Sequence, residues 1–363
     1  MPSIDSAKVK GPAFSMARYK INLNFFLSLN TILTDHIEAK EPKLWNGYRV
    51  LAGDGTSVNL PPSKQIKDHF GVFSVSSIGT HKCLANACMI YDVQSNLVLD
   101  SIIAPVSIGE ETLLNRMLKN SNYLNSILLL DRGFGNFSIC KSCIKKDLNF
   151  CVRIKTSNLD FAKLVLQNTE DDFITTWKPS EMERATCRKY KLETNSIQVR
   201  VTKIVLNTGD IEILVSNLFD QKTINKISMK QLYGMRWGIE EGYKKLKPTM
   251  KLEQFGCRKH EGIYQEFYAH IFMMNLVGII SAEAEEKINT LTKTRKLRYK
   301  YNWKSAFLFI RNKFADIFYH GKIADSLAIL INQISQSLVA IKDNRLYLRP
   351  KNGDKSRSSQ YYK

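Results

Sequence analysis

The sequence contains neither a long apolar run nor an amino-terminal signal peptide. Its longest mainly apolar stretch, IFMMNLVGII, covers only 271–280, whereas a membrane-spanning helix needs roughly 20 such residues. The start of the chain carries Lys8, Lys10, Arg18 and Lys20 without the apolar core that a signal peptide requires. We therefore expect a cytoplasmic protein with no membrane partner.

The chain has few cysteines, and their number and spacing do not indicate a disulfide framework. The chain has 7 cysteines in 363 residues, and an odd number scattered through apolar or mixed segments predicts reduced thiols. Cys140 and Cys143 form a C-x-x-C pair, but no second pair stands at a spacing suited to zinc. We interpret these two cysteines as small residues on one helical turn.

Acidic residues are also in deficit. Lys and Arg number 53 against 34 Asp and Glu, which gives a net charge of +19. Such an excess favours a polyanionic partner, usually a nucleic acid, although charge alone leaves a ribosomal or membrane-surface role open. With 44% hydrophobic residues, the chain can bury the core of one large domain with an added insertion or arm.

The order of hydrophobic patterns predicts an α/β protein. After helical periodicity at 13–38, three strands are expected in YRVLAGDGTSVNLP, HKCLANACMIYD and NLVLDSIIAP, followed by a helix in IGEETLLNRMLKN. A strand in SILLLD, a helix in GNFSICKSCIKKD and a strand in NFCVRIKT come next. The order β, β, β, α, β, α, β indicates a ribonuclease H-like mixed sheet with flanking helices.

A composition change after this core predicts an insertion. Residues 158–216 are polar and β-branched, with strand-like runs such as SIQVRVTKIVL, and helical patterns dominate after 220. The expected regions are a helical segment at 1–45, a ribonuclease H-like core at 46–157 and 217–290, a β-rich insertion at 158–216, a helical region at 291–350 and a disordered basic tail at 351–363.

The most informative segment is YGMRWGIEEGYKKLK at 233–247, for which we expect one helix over 229–247 that ends at Pro248. Its functional side chains are Tyr233, Arg236, Glu240 and Lys247, called here the signature residues. At about 100° per residue they fall within a stripe about 60° wide. Arginine and lysine can grip phosphate oxygens, and a carboxylate can bind Mg²⁺. The alternative is a solvated amphipathic helix with a Glu240–Lys244 pair worth about 0.2–0.5 kcal/mol.

Two aspartates are expected to join Glu240. Asp54 and Asp131 each stand where a predicted strand ends, and the two strands are neighbours in a ribonuclease H-like sheet. Three converging carboxylates can hold two Mg²⁺ ions about 3.5–4 Å apart, which activate a hydroxyl group and stabilise a leaving oxygen. The alternative is that each aspartate only caps a turn. The competing carboxylates are Asp92, Asp100, Glu110, Glu111 and Glu241, with Asp92 and Asp100 assigned to a hairpin turn.

A basic and aromatic segment, KTRKLRYKYNWK, occupies 293–304. Lysine and arginine interleaved with Tyr299, Tyr301 and Trp303 suit phosphate contact and base stacking. The alternative is a solvated linker whose aromatic rings fold back on the core.

With the two aspartates, the signature residues resemble those of DDE transposases of bacterial insertion sequences that carry a YREK signature. They match the pattern Y-x-x-R-x-x-x-E-x-x-x-x-x-x-K without a gap. Further similar segments are D-G-T at Asp54, D-R-G-F from Asp131, FCVRIK at 150–155, AFSMARYKI near the start and YNWKSAF at 301–307, so that the similarity spans roughly 13–320.

The resemblance implies metal-dependent cleavage at transposon ends and strand transfer into target DNA by a cut-and-paste mechanism. It implies two Mg²⁺ ions, replaceable by Mn²⁺, a homodimer on double-stranded DNA, and a nucleoid-associated bacterial location. The implied catalytic metal ligands are Asp54, Asp131 and Glu240. The implied DNA contacts are Tyr233, Arg236 and Lys247, to which we add Lys244 and Trp237.

Two departures from the family pattern keep other functions open. Only about fifty residues precede the first core strand, fewer than in relatives, which suggests a truncated copy. Some relatives carry a tryptophan in the insertion that stacks on a flipped base, but DIEILVSN has no aromatic residue and Trp177 lies earlier. The alternatives are a ribonuclease H-like nuclease that uses water alone, and an inactive DNA-binding relic of a transposase.

Overall fold

The computed structural model describes residues 10–38, 42–75, 79, 81–120, 122–156, 160–206 and 209–341. The predicted disordered tail at 351–363 lies outside these residues. The chain divides into two units, Met1–Asn275 and Leu276–Lys363, each described here by itself. All seven cysteines are free and buried, which confirms the prediction of reduced thiols.

The first unit contains a mixed sheet with the five predicted strands in the predicted order, but a helix at Lys64–Phe70 and a short strand at Ser74–Val75, which were not predicted, lie between the first two. Strand β1 (Arg49–Leu60) lies between the antiparallel β3 (His81–Asp92) and the parallel β5 (Ser126–Leu130). Strand β4 (Leu97–Pro105) pairs with β3, the parallel β6 (Asn149–Ile154) pairs with β5, and the short β2 (Ser74–Val75) pairs with the start of β3. The spatial order β4-β3-β1-β5-β6 is that of a ribonuclease H-like sheet.

Three of the helices in this part, those that begin at Lys64, Glu110 and Phe137, cover the sheet with buried apolar residues. The helices of this part are α1 (Gly11–Arg18), α2 (Leu23–Glu38), α3 (Lys64–Phe70), α4 (Glu110–Asn120) and α5 (Phe137–Lys145). The side chain of Asn136 accepts from the N–H of Ile139 at 3.0 Å and so caps the start of α5. Leu113 and Phe137 pack in one core with the continuously apolar β5, as expected of a strand buried on both faces.

Residues 160–216 extend the same sheet. They form α6 (Asp160–Gln167), β7 (Asp172–Trp177), α7 (Glu181–Lys189), β8 (Ile197–Val205) and β9 (Ile211–Ser216). Strand β9 pairs with β6, so the order continues β6-β9-β8-β7. Trp177 is 1% exposed and stacks on Phe161 with ring centroids 4.5 Å apart, so its ring belongs to the core. The predicted boundaries of the regions stay predictions.

The segment with the signature residues is not the single helix predicted for 229–247. Helix α8 (Lys226–Gly234) ends before α9 (Trp237–Lys244), and the link makes the tighter i→i+3 bonds from Arg236 N to Tyr233 O and from Gly238 N to Met235 O. A π-helical turn, Lys245–Thr249, follows and contains Pro248. The prediction that Pro248 ends the helix was therefore wrong, because a wider turn accommodates the ring.

Helix α10 (His260–Thr292) spans 33 residues and is long and apolar enough to cross a membrane, but 67% of its most apolar window is buried inside the protein. The second unit further contains α11 (Trp303–Phe318), α12 (Ile323–Gln336) and a ribbon of β10 (Tyr299–Tyr301) with β11 (Leu338–Ala340). Burial raises the pKa of the Tyr301 phenol to about 12. Tyr299, Tyr301 and Trp303 are each only half-buried, so both interpretations of 293–304 stay predictions.

Candidate active site

Asp54 and Asp131 occupy equivalent positions on adjacent parallel strands. The register of β1 and β5 pairs Gly53 with Leu130, and the next residue on each strand is the aspartate. β5 ends there, whereas β1 continues to Leu60 in pairing with β3. Asp54 therefore lies within a strand rather than at its end, at the point where pairing with β5 stops. The structure brings the two predicted aspartates together at the carboxyl end of β5.

The Asp54 carboxylate is half-buried, and a neighbouring negative charge disfavours its ionised form. Burial, followed by the negative charge of Asp131, raises its pKa to about 7, although the N–H of Gly55 and the charge of Arg236 act in the other direction. The Gly55 N–H donates to Asp54 Oδ1 at 2.9 Å. A buried carboxylate beside another one is stabilised by a positive charge, so this pair is suited to bind a cation or to face a cationic group.

Asp131 is held by the turn that follows β5. The N–H of Gly133 donates to Asp131 Oδ1 at 2.8 Å, and the N–H of Phe134 donates to the Asp131 carbonyl at 3.1 Å. Two residues on, Gly135 lies against the Arg153 carbonyl so closely that a Cβ would overlap it. The D-R-G-F-G sequence therefore packs the turn that holds the carboxylate against the end of β6.

A third carboxylate, Glu110, lies beside the two aspartates. It is in the first turn of α4, and a Cβ on Gly55 would overlap its carboxyl group. Burial, followed by the charge of Asp131, raises the pKa of Glu110. Sequence analysis placed Glu110 only among the competing carboxylates. The available signal was the glycine after Asp54, which leaves room for a neighbouring side chain.

Helix α9 is tied across β1 by its own side chains. The hydroxyl group of Tyr243 donates to the Asp54 carbonyl oxygen at 2.8 Å, and the Tyr243 side chain is almost fully buried. Gly238 on the same helix lies against Val93, where a Cβ would make a tight contact at 3.0 Å. These contacts place the amino-terminal turn of α9, with Arg236 and Glu240, near the carboxylates.

Arg236 lies at the centre of the signature residues. Its Nη2 is 2.8 Å from Glu240 Oε1, and its Cζ lies 5.9 Å from the Tyr233 ring centroid and 5.6 Å from that of Trp237. Tyr233 is buried, and burial raises the pKa of its phenol, whereas Trp237 is 48% exposed. Because Arg236 also acts on Asp54, its charge links Glu240 to the aspartates.

The lysines of this segment contact the protein in different places. Lys247 Nζ donates to the Ser57 carbonyl at 2.6 Å and lies 3.5 Å from Glu253 Oε1, so it sits along β1 beyond Asp54. The Glu240–Lys244 pair of the alternative interpretation does not form, because Lys244 pairs with Glu241 at 2.5 Å and Glu240 pairs with Arg236. The proposed DNA contacts of Lys244 and Lys247 stay predictions.

The donor set fits a metal ion only in part. Within the described residues, no three His, Cys, Asp or Glu side chains are grouped closely enough to hold a metal ion. Asp54 and Asp131 offer hard oxygen ligands, and a divalent cation would offset the burial and the negative charge that raise the pKa of Asp54. Glu240 is paired with Arg236 instead. The assignment of Asp54, Asp131 and Glu240 as catalytic metal ligands stays a prediction.

A cavity of about 580 Å³ is lined by cationic residues that sequence analysis did not select, namely Arg132, Arg153 and Lys155. Arg153 Nη1 lies 2.7 Å from Glu212 Oε1, and the charges of Arg153 and Arg236 both act on Tyr233. Arg132 follows Asp131 directly. Arginine side chains of this cavity are suited to bind phosphate oxygens, as is Arg236, which acts on Asp54.

Comparison with known proteins identifies the family of the chain. The sequence of residues 45–276, well over half of the chain, matches the family described as Transposase DDE domain. No curated protein matches the chain. Among solved structures, the chain is similar to a piggyBac transposase seen by cryo-EM in a synaptic complex with hairpin DNA, with 12% identity and a TM-score of 0.42 over 86% of this chain. The chain spans 60% of the length of that one. On the evidence of the family match, the protein belongs to the transposase DDE domain family.

Proposed function

We propose that this protein is a DNA transposase that cleaves DNA at transposon ends and joins the freed ends to target DNA by a cut-and-paste mechanism. The observation that carries the proposal is the placement of Asp54 and Asp131 on adjacent parallel strands, with Arg236 acting on Asp54. Carboxylates bind the cations that phosphoryl transfer uses, and arginine binds the phosphate. Both requirements meet at one place in the fold.

DDE transposase domains are generally dependent on divalent metals, and we propose Mg²⁺, with Mn²⁺ as a substitute, in two positions. Asp54 and Asp131 would hold the cations, with Glu240 or Glu110 completing the set. When bound, the cations polarise the scissile phosphate and activate the attacking hydroxyl group. The charge repulsion between Asp54 and Asp131 supports this proposal, because two such carboxylates favour a cation.

The chain's own side chains bind and orient the DNA. Arg236 is mostly buried and held between the Tyr233 and Trp237 rings, so its fork is preorganised for a phosphate. The half-exposed Trp237 ring offers a stacking surface for a base. On the other side, Arg132 and Arg153 would hold the continuing strand. Tyr243 and the Gly133 N–H keep the two aspartates in place.

We further propose that the signature residues are a YREK signature and that the protein comes from a bacterial insertion sequence. Tyr233, Arg236 and Glu240 make one contiguous set of contacts, and Lys247 lies farther along β1, which supports a common role. The proposed active form is a homodimer that pairs two transposon ends in a synaptic complex. The proposed location is the cytoplasm, in association with the nucleoid.

The test uses the purified chain and DNA that carries the inverted repeats flanking its coding region. With Mg²⁺ or Mn²⁺, we expect release of 3′-hydroxyl ends and their joining to a supercoiled target plasmid. Released ends without joining would instead indicate a nuclease that uses water alone. Binding without cleavage, in the presence of either metal, would indicate a DNA-binding relic. Either outcome would overturn the proposal.

A further inference from the structure

A second cavity, of about 400 Å³, lies between α4, α5 and the end of α7, and its rim is strongly basic. Its cationic lining residues are Arg116, Lys119, Lys145, Lys146, Lys189 and Lys191, and none of the described lining residues is acidic. We call it the basic cavity. Its volume falls within the range of about 300–1,000 Å³ that is usual for ligand sites, and its charge favours an anion.

Two of these lysines build the walls of the basic cavity. Lys145 Nζ donates to the Lys191 carbonyl at 3.1 Å, and Lys146 Nζ donates to the Lys119 carbonyl at 2.7 Å. These bonds join the end of α5 to the second residue after α7 and to the last turn of α4. Lys191 has a φ of 55°, a left-handed conformation that costs a non-glycine residue free energy and that turns its carbonyl towards Lys145.

The other cations, Arg116, Lys119, Lys189 and Lys191, are exposed at the rim. Below them, the floor combines polar and apolar groups. The hydroxyl groups of Thr112 and Tyr190 lie 3.1 Å apart and satisfy each other. The Tyr190 ring and two leucines, Leu118 and Leu192, supply apolar surface. Phosphates on the rim, with the sugar of the same strand against the floor, match this division.

The basic cavity faces away from the carboxylates. Arg116 and Lys119 lie on the same helix as Glu110, but at about 100° per residue they are about 120° and 180° around it, and an α-helix is about 10–12 Å thick. Glu110 lies against Gly55 in the candidate active site. A phosphate in the basic cavity is therefore on the far side of α4 from Asp54 and Asp131.

We propose that the basic cavity is a second DNA-binding site, which holds a nucleotide unit of the phosphodiester backbone away from the bond that is cleaved. This inference rests on the proposed function for its choice of DNA as the anion. The cavity and the signature residues then contact separate stretches of DNA, so their contributions to affinity are independent.

The test is the salt dependence of binding to a labelled 30-base-pair duplex of arbitrary sequence, without divalent metal. The variant Arg116→Ala/Lys119→Ala/Lys191→Ala removes three exposed rim cations. We expect the slope of log K against log salt to fall by about 0.9 for each lost phosphate contact on duplex DNA. Because the sites are separate, adding Arg236→Ala should lower the affinity by the product of the separate losses.

The matched control, Lys64→Ala/Lys178→Ala/Lys230→Ala, removes the same charge from exposed positions outside the cavity. An equal fall in slope for test and control variants would overturn the proposal, because it would indicate a diffuse basic surface. Thermal melting of both variants establishes that they are folded.

A measurement on the unchanged protein complements the variants. Lysine acetylation should be slowed by the duplex at Lys119, Lys189 and Lys191, and not at Lys178. ATP is the probe for a free nucleotide. Protection by millimolar ATP but not by the duplex would overturn the assignment to DNA.

Failure of the inference is distinguishable from failure of the proposed function. If the rim variant binds DNA like the unchanged protein while ends are still cleaved and joined, only the basic cavity is refuted. If the rim variant loses DNA affinity but the unchanged protein joins no ends under any metal condition, the transposase proposal is refuted and the DNA site stands.

Discussion

Arg236 and Glu240 form an ion pair, with Nη2 2.8 Å from Oε1. The same guanidinium acts on Asp54. In this arrangement Arg236 is bound to the carboxylate of Glu240, which is one of the proposed metal ligands. A DNA phosphate competes with Glu240 for Arg236, and a divalent cation competes with Arg236 for Glu240. Binding of DNA and binding of metal should therefore favour each other.

This coupling is a prediction that can be measured directly. The apparent dissociation constant for Mn²⁺, followed by calorimetry, should fall when a transposon-end duplex is bound, and by the same factor the metal should strengthen duplex binding. Glu240→Gln removes the negative charge for which Arg236 and the metal compete, and it should abolish most of the coupling. Equal coupling in the unchanged protein and in Glu240→Gln would show that this ion pair is not the link.

The third metal ligand can be identified by comparing two glutamates. Glu240→Gln should reduce cleavage by at least about 10²-fold, the size typical of losing one group that stabilises charge in a transition state, while binding to DNA is kept. Glu110→Gln should have a smaller effect if Glu240 is the ligand. The exposed Glu241, paired with Lys244, provides the control Glu241→Gln. A reversed order, with Glu110→Gln the more damaging, would assign the ligand to α4.

Loss of either aspartate should stop the chemistry but not the binding. Asp54→Asn and Asp131→Asn keep the side-chain shape and remove the charge. We expect no detectable cleavage of labelled transposon ends, with duplex affinity within a few fold of the unchanged protein, because affinity comes mainly from lysine and arginine. Without metal, Asp54→Asn should also raise the melting temperature, since it relieves the repulsion with Asp131. Residual cleavage at a normal rate would exclude the assigned role.

Arg236→Ala should weaken binding to a cleaved DNA end and lower its salt slope by about 0.9 on duplex, or about 0.7 if the contacted strand is single. The reason is the loss of one preorganised phosphate contact. Lys230→Ala is the matched control, since Lys230 is an exposed cation on α8. Fluorescence anisotropy over a salt series gives both slopes. Similar losses for the two variants would reduce the role of the signature residues to general charge.

A buried ion pair of the extended sheet predicts how stability depends on pH. Arg200 is fully buried, with Nη2 2.6 Å from Asp172 Oδ2. Burial opposes the charged form of Asp172, but the hydrogen bonds and charge of Arg200 outweigh this effect. The pKa of Asp172 is therefore lowered. A lowered pKa adds stability above the unfolded value, about 3.9 for aspartate, and this stability is lost as the pH falls through the folded pKa.

Urea unfolding between pH 7 and pH 2.5 measures this effect. Asp172→Ala should cost about 3–5 kcal/mol at pH 7, because it leaves the Arg200 charge buried without its partner. Its stability should also depend less on pH than that of the unchanged protein over this range. An identical pH dependence in the two proteins would contradict the assignment.

Local patterns were enough to predict the sheet and the two aspartates. Alternation and continuous apolar runs mark β1 and β5, and the ribonuclease H-like order makes them neighbours. The helix break at Met235 and Arg236 was not predictable in this way, because the helical pattern continues through it. It accompanies the tertiary docking of Tyr243 on Asp54 and of Gly238 on Val93.

The role of Glu110 was hidden for a similar reason. Its approach to Asp54 depends on where α4 starts relative to β1. That position is set by how α4 packs on the sheet, and a local sequence pattern does not show it. The burial of Trp177 against Phe161 likewise depends on α6, for which 158–216 gave no expectation. Contacts between distant segments thus separate what sequence could predict from what it could not.

The parallel pairing of β1 with β5 has a consequence for the time course of synthesis. The two aspartates meet only after a strand distant in sequence has paired, and contacts of this kind form late in folding. Glu240 and Arg236 leave the ribosome later still, roughly 10–40 s after Asp54 at about 5–20 residues per second. A nascent chain therefore lacks the complete set of proposed catalytic groups until Glu240 has been synthesised.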